Sequence, residues 1–323
     1  MILHENANLF KQAIKATSDS LSIAEFLIEK DYWITFALKK IFVGPGKDYA
    51  VFKGGTSLSK CYKLIERFSE DIDLVIIHSD EDSDNKKKNK IKKISRSLTE
   101  PFDEIEVSGL TVKRGMIRKT CHNYPKIFND NFEQVRNEII LEVSWLGYYE
   151  PYSEMKISSY IYDMMKEKEQ QELINKYEMH PFKLKVLSLE RTFCEKIMSL
   201  VRFSYSENPI YSLKMKIRHI YDLFFLLKEN NVENFFNTNS FDDMLCKVGN
   251  DDKSGYRTGN EWINNHPAKA LIFSDLDETW NQLKEYYSKE FKQLIYGELP
   301  NESEIYNLLK TIQKRLIQIN WKL

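Results

Sequence analysis

The stretch FKGGTSLSKCYKLIERFSEDIDLVII, residues 52–77, places two adjacent glycines, a run of helical spacing and two aspartates one residue apart in that order. After the glycines, Leu58, Cys61, Tyr62 and Ile65 recur at three and four residues, which predicts a helix with Thr56 as its N-cap. From Asp71 to Ile77 the period changes to two, so this segment reads as a strand with Ile72 and Leu74 on one face and Asp71 and Asp73 on the other. Ala50-Val51-Phe52 reads as a short strand entering Gly54-Gly55. Like charges on one strand face repel unless something positive sits between them. Two carboxylates held this way suit a hard divalent cation such as Mg²⁺, which takes few protein oxygens and leaves room for substrate phosphates. A glycine pair ahead of a helix suits a phosphate, because the bare backbone approaches closely and its N–H groups favour an anion. The order strand, Gly-Gly, helix, strand, Asp-x-Asp therefore predicts a nucleoside-triphosphate site with Mg²⁺, the layout of phosphoryl or nucleotidyl transfer. Either half alone would be an ordinary turn or a solvent-facing strand edge.

A third carboxylate commonly completes such a site. In IILEVSW, residues 139–145, Ile139, Leu141, Val143 and Trp145 share one side and Ile140, Glu142 and Ser144 the other. Glu142 is the only charge at the centre of this predicted strand. It is a candidate third metal ligand, with an ordinary strand-flanking acid as the alternative.

Farther out, LSIAEFLIEKDYWITFALKKIF, residues 21–42, has apolar residues at helical spacing and ends at Val43-Gly44-Pro45-Gly46, as one long helix or two short ones. SDEDSDNKKKNKIKK, residues 79–93, is acidic and then basic, either a solvated loop or helix start or a contact to a phosphate backbone. Residues 105–112 read as a strand, and residues 151–166 have no clear pattern. Beyond Lys185 the stretches 187–203, 213–228, 279–294 and 302–319 all carry helical periodicity. The expected fold class is α+β: a mixed sheet with flanking helices over residues 1–185, then a mainly helical domain over 186–323.

Composition narrows the function. Lys plus Arg number 47 against 48 acidic residues, so a net charge of −1 gives no global polycation and any nucleic-acid contact must be local. Cys61, Cys121, Cys194 and Cys246 are far apart and form no CxxC pair, which argues against a zinc site or a disulfide framework. MILHENANLFKQAIKA is broken by Glu5 and Lys11, so no secretory signal is expected, and no stretch is apolar enough for a membrane span. The expected location is cytoplasmic.

The order and identity of residues 52–77 resemble the polymerase-β-like nucleotidyltransferase superfamily, although fifteen residues separate Gly55 from Asp71, slightly more than is usual there. KGGTSLSK followed by RFSEDIDL, with EKDYW at residues 29–33, is similar to the AbiEii-type nucleotidyltransferase toxins of bacterial type IV toxin–antitoxin systems. The resemblance implies that Gly54, Gly55, Thr56 and Ser57 line the triphosphate and that Asp71 and Asp73 hold Mg²⁺. Ser69 matches a position that relatives use for control by phosphorylation. Lys53 would stand near phosphate, although nothing in its spacing requires it.

The second half of such proteins contributes a lysine and an aspartate, here Lys196 in ERTFCEKIMSLVRF and Asp222 in KIRHIYDLFFLL. Lys196 lies at the edge of the face formed by Leu189, Phe193, Ile197 and Leu200. Arg218 and Asp222 stack four apart at the margin of the face formed by Ile217, Tyr221, Phe224 and Phe225. A lysine so near a core face is costly to bury unless it meets an anion. It either pairs with Asp222, leaves Asp222 to Arg218 and snorkels to water, or contacts nucleotide phosphates with Asp222 orienting it. Arg191, Arg202 and Arg218 are further candidates for phosphate or RNA contact.

The implied function is Mg²⁺-dependent transfer of a nucleoside monophosphate from an NTP to an acceptor, the 3′ end of tRNA in some relatives, by a toxin whose separately encoded antitoxin need not touch it. A small-molecule nucleotidyltransferase, a non-enzymatic nucleotide-binding regulator and a kinase-like phosphoryl transfer stay open as alternatives. His78, His180 and His219 show no ligand spacing. SGYRTG, residues 254–259, reads as a loop. Lys310, Lys314 and Arg315 lie on a packed amphipathic helix, with an RNA grip as the alternative.

Overall fold

The computed structural model describes residues 1–113, 115–128, 136–255 and 259–323. The elements run α1 (Ala7–Leu21), α2 (Glu25–Phe42), β1 (Ala50–Lys53), α3 (Gly54–Lys60), β2 (Asp71–Ile76), α4 (Asp84–Ser95), β3 (Asp103–Ile105), β4 (Ile117–Asn123), β5 (Ile139–Ser144), β6 (Tyr152–Ile157), α5 (Tyr160–Glu167), α6 (Gln171–Lys176) and β7 (Phe182–Leu187). The helices α7 (Leu189–Phe203), α8 (Pro209–Met215), α9 (Ile217–Lys228), α10 (Asn230–Phe236), α11 (Asn239–Gly255), α12 (Leu271–Ser274), α13 (Leu276–Ser288) and α14 (Glu302–Ile317) follow. By contacts the chain divides into two compact units. The first holds residues 1–63, 68–145 and 152–186; the second holds 64–67, 146–151 and 187–323.

The first unit is built on a seven-stranded sheet in the order β3-β4-β5-β2-β1-β7-β6. Strand β2 is antiparallel to β1 and parallel to β5, which is antiparallel to β4. Residues paired in register share a sheet face, so the alternation of β2 propagates across its neighbours. Ala50, Phe52, Ile72, Leu74, Ile76, Ile139, Leu141 and Val143 form the buried face and join the core with Phe10, Trp33, Leu38 and Ile41 from α1 and α2. The opposite face carries Asp71, Asp73 and Glu142.

Helix α2 buries nearly its whole middle, including the EKDYW charges. Each charge ties a different segment to the helix. Glu29 accepts the N–H groups of Ile127 and Phe128 at 2.8 and 2.9 Å. Lys30 donates to Glu70 at 2.5 Å and to the Arg136 carbonyl. Asp31 accepts the Tyr160 N–H at 2.9 Å and pairs with Lys60. A buried charge persists only when paired or hydrogen-bonded, and these are. The stretch is a structural hub.

Several expectations need correction. Residues 105–112 are not one strand: β3 ends at Ile105, and Val112 makes a single bridge to Lys119. The lysine-rich run takes the helix-start alternative, as helix α4, capped by Ser83 and anchored by Ile91 and Ile94 on the core side. Helix α3 begins at Gly54 rather than after Thr56 and stops at Lys60, so the spacing of Cys61, Tyr62 and Ile65 is not helical. Residues 213–228 split at Lys216 into the end of α8 and all of α9. The loop reading at 254–259 falls partly outside the described residues; Ser254 and Gly255 end α11. Arg315 of α14 is held by the Phe236 and Thr238 carbonyls and by Asp242, which makes it a packing residue of the second unit. Among the described residues no helix is long and apolar enough to cross a membrane.

Strand β4 carries His122 on the core face, fully buried, with Nε2 bonded to Thr120 Oγ1 at 2.8 Å and Nδ1 without a partner. Burial lowers its pKa to about 4. The unfolded chain takes up a proton as pH falls through 6.5, and the folded chain does not until about 4. Stability is therefore lost as pH falls across that window, by at most about 1.4 kcal/mol per pH unit. His122→Leu should flatten this part of the melting-temperature profile; an unchanged acid slope would mean that other groups set it.

Candidate nucleotide site

In the first unit the site grows from the β1–α3 turn. Gly54 has φ +82°, a conformation that side chains rarely adopt, and a Cβ there would overlap the Asp73 carboxylate. The glycine is thus required twice, by its backbone and by the aspartate behind it. Thr56 and Ser57 are buried, and their hydroxyls serve the loop. Thr56 Oγ1 donates to the Asp71 carbonyl at 2.6 Å, and Ser57 Oγ donates to the Gly54 carbonyl at 2.8 Å. With its one proton committed, Thr56 Oγ1 accepts from Ser69 Oγ at 3.0 Å. The side chains of Thr56 and Ser57 thus brace the turn and pin the first residue of β2, while the backbone N–H groups at the start of α3 suit a phosphate.

Register then assembles a row of charges. Lys53 stands opposite Asp73, Asp73 opposite Glu142, and Glu142 opposite Lys119, across β1, β2, β5 and β4. The order is cation, anion, anion, cation. Lys119 Nζ lies 3.3 Å from Glu142 Oε2, and Arg136 lies 3.5 Å from Asp71 Oδ1. Asp71, Asp73 and Glu142 are all partly exposed on this face. Among the described residues no cluster of three or more His, Cys, Asp or Glu is arranged as a ready-made metal site. Asp71 and Asp73, hard oxygen donors on one face with Gly54 against the second, have the donor chemistry that suits a hard divalent cation.

In the second unit Lys196 on α7 and Asp222 on α9 are not at helix margins but buried, at 4% and 0% exposure. Asp222 is gripped by Arg67, with Nε to Oδ1 at 2.6 Å and Nη2 to Oδ2 at 2.8 Å, and by Lys196 Nζ to Oδ2 at 2.5 Å. Burial pushes the Asp222 carboxyl up, but Arg67 and Lys196 more than offset it and hold it at about 2. Burial lowers the Lys196 ammonium, opposed by Asp222 and reinforced by Arg67 and Arg218. Of the alternatives, the Lys196–Asp222 pair forms and the Arg218–Asp222 pair does not. Arg218 is half-buried and makes no ion pair or hydrogen bond among the described residues.

Arg67 is the residue that sequence reasoning missed. It sits in a loop of no periodicity, and its only signal was its place at the head of RFSEDIDL. Two other candidates are tied down locally. Arg191 is buried between Glu195 and Asp251, at 3.2 and 2.5 Å, and Arg202 lies over the Phe203 ring. His219 has a buried, unpartnered Nδ1, and burial beside Lys196 holds its pKa well below the ordinary value.

No curated protein matches the chain. The family described as nucleotidyl transferase AbiEii toxin, type IV toxin–antitoxin system, matches residues 37–313, a span that includes Gly54, Asp71, Asp73, Glu142, Lys196 and Asp222. With a mixed sheet that aims an Asp-x-Asp strand past a glycine turn, and a match over most of its length, the chain belongs to the AbiEii nucleotidyl transferase toxin family.

Proposed function

We propose that the protein transfers a nucleoside monophosphate from an NTP to the 3′ end of tRNA, with Mg²⁺ as the divalent ion. In this reading it acts in the cytoplasm, as the toxin of a pair whose antitoxin is separately encoded. The observation that carries the reading is the charge row Lys53, Asp73, Glu142, Lys119 on one sheet face, with Asp71 beside it and Gly54 packed against Asp73. Two adjacent acids flanked by lysines suit a cation and a polyanion bound together. Asp71 and Asp73 would hold the ion, and Glu142, released from Lys119, would be its third carboxylate. When bound, the ion offsets charge that develops on the phosphates.

The chain's own residues do the rest. Backbone N–H groups at Gly54 and Gly55 orient the triphosphate, and Lys53 offsets its charge. The loop braced by Thr56, Ser57 and Ser69 keeps Asp71 in place. Phosphorylation at Ser69 would break its bond to Thr56 and bring negative charge within two residues of Asp71.

The test is incubation of the protein with Mg²⁺, each α-labelled NTP in turn, and total RNA. Label appearing in RNA of tRNA length, with pyrophosphate released, is the expected result. Label on an aminoglycoside and never on RNA would sink the RNA reading, and transfer of γ- instead of α-phosphate would make the enzyme a kinase.

A further inference from the structure

From Lys86 to Arg96 the chain carries seven cations and no acid. In a protein whose net charge is −1, that concentration is local. The inner side of α4 is spent on packing: Ile91 and Ile94 are 4% and 0% exposed and join the core against the sheet. Several of the cations are already engaged. Asp82 pairs with Lys86 and Lys90, each at 2.5 Å, and Lys90 also donates to the Ile77 carbonyl at 3.0 Å. Lys93 lies over the Tyr49 ring, 5.8 Å from its centroid. Lys87 is half-buried, and its charge acts on His78.

Lys88, Lys92 and Arg96 are left, all exposed and spaced four apart. They make one row about 12 Å long on the outer side of the helix. Among the described residues none of these three side chains makes an ion pair or a hydrogen bond. The acids of the neighbourhood serve other groups. Asp84 stands in the first turn, where a helix favours negative charge. Glu81 acts on Lys86, and Glu104 is held by Lys113 with Arg118 beside it. Asn85 and Asn89 add hydrogen-bond donors to the exposed side and no negative charge. Like charges four apart on a helix repel, so the bare row weakens the helix that carries it.

We propose that the row Lys88, Lys92 and Arg96 grips the phosphate backbone of an RNA. A polyanion laid along the row turns its repulsion into attraction and releases counterions as it binds. A lipid surface fits less well, because a helix lying on a membrane inserts an apolar face and that of α4 is buried in the core. Helix α4 packs on the sheet face that carries Ile72, Leu74 and Leu141, whereas Asp71, Asp73 and Glu142 stand on the opposite face. The row therefore holds RNA away from the candidate metal acids and serves affinity, not the chemical step. That this RNA is the acceptor rests on the transfer reading above; the backbone grip does not.

The probe is purified tRNA, titrated against the full chain without NTP at several salt concentrations and followed by fluorescence anisotropy. Wild type should bind, with log affinity falling linearly with log salt. The triple variant Lys88→Gln, Lys92→Gln, Arg96→Gln should lose at least about tenfold in affinity at about 50 mM salt. Its salt slope should shrink by about two to three, near one for each lost phosphate contact. Lys92→Gln alone should shrink the slope by about one. A control triple, Lys15→Gln, Lys166→Gln, Lys168→Gln, removes as many exposed charges elsewhere in the first unit and should bind tRNA as wild type does. The melting temperature of the α4 triple should hold or rise, since it relieves repulsion.

No tRNA binding by wild type, an unchanged slope in the α4 triple, or an equal loss in the control triple would each overturn the proposal. A fall in melting temperature alongside lost binding would assign the row to structure and overturn it too. So would binding to anionic vesicles or duplex DNA with none to tRNA. The transfer reading fails separately: α4-dependent tRNA binding without any labelled transfer leaves the grip standing and removes the reaction. Labelled transfer with an unchanged KM for tRNA in the α4 triple would do the reverse.

Discussion

Asp73→Asn is expected to lower transfer of α-labelled nucleoside monophosphate by about a thousandfold while leaving the fold intact. A divalent ion offsetting phosphate charge contributes several kcal/mol to the transition state, and each tenfold in rate is about 1.4 kcal/mol. Losing one of the three carboxylates proposed to hold it would remove most of that. The same substitution takes away one of two like charges on a strand face, so stability should move by less than about 1 kcal/mol. The change is also small in shape, because Gly54 packs against the carboxylate group and an amide is nearly isosteric. Steady-state transfer and a thermal melt of the same preparation decide it. A folded Asp73→Asn protein that transfers label at the wild-type rate would remove the metal-assisted mechanism.

The second large effect is on stability. Asp222→Ala removes the carboxylate that Arg67 and Lys196 share in the interior, and breaking buried pairs of this kind costs about 3–5 kcal/mol. Against a typical total of about 5–15 kcal/mol this is a large fraction, and a fall in melting temperature of many degrees is expected. The pH dependence carries a sign that can be checked. The folded carboxyl at about 2 lies below its ordinary 3.8, so its contribution is fully present above about pH 4 and is lost as pH falls towards 2. Wild type should lose stability in that window and Asp222→Ala should lose less. Equal melting temperatures at neutral pH would mean that the triad is not a stabilising element.

How much of this was legible beforehand depended on how local the cause was. Strands β2 and β5 were readable because their buried faces are apolar at period two, and the acids had only the other face left to occupy. Strand β4 was not, because IRKTCHN buries Thr120 and His122 where a strand usually buries aliphatic residues. Helix α4 was readable only as an alternative to a loop, because just Ile91 and Ile94 supply its apolar stripe among six lysines. Thr56 and Ser57 were assigned to the nucleotide by motif position, and hydrogen bonds to the Asp71 and Gly54 carbonyls, invisible in one dimension, gave their hydroxyls to the loop.

What the sequence by itself determined is the direction of Asp71 and Asp73. The side-chain period of a strand is two, so two aspartates alternating with apolar residues must share a face, and a glycine pair ahead of them marks the turn they look onto. Only the tertiary structure decided the charge partners. Glu142 meets Lys119 from a neighbouring strand, and Asp222 meets Arg67 from 155 residues away in the chain. No local pattern encodes such pairs, because each is made by the packing of distant segments and takes its strength from the burial that packing creates.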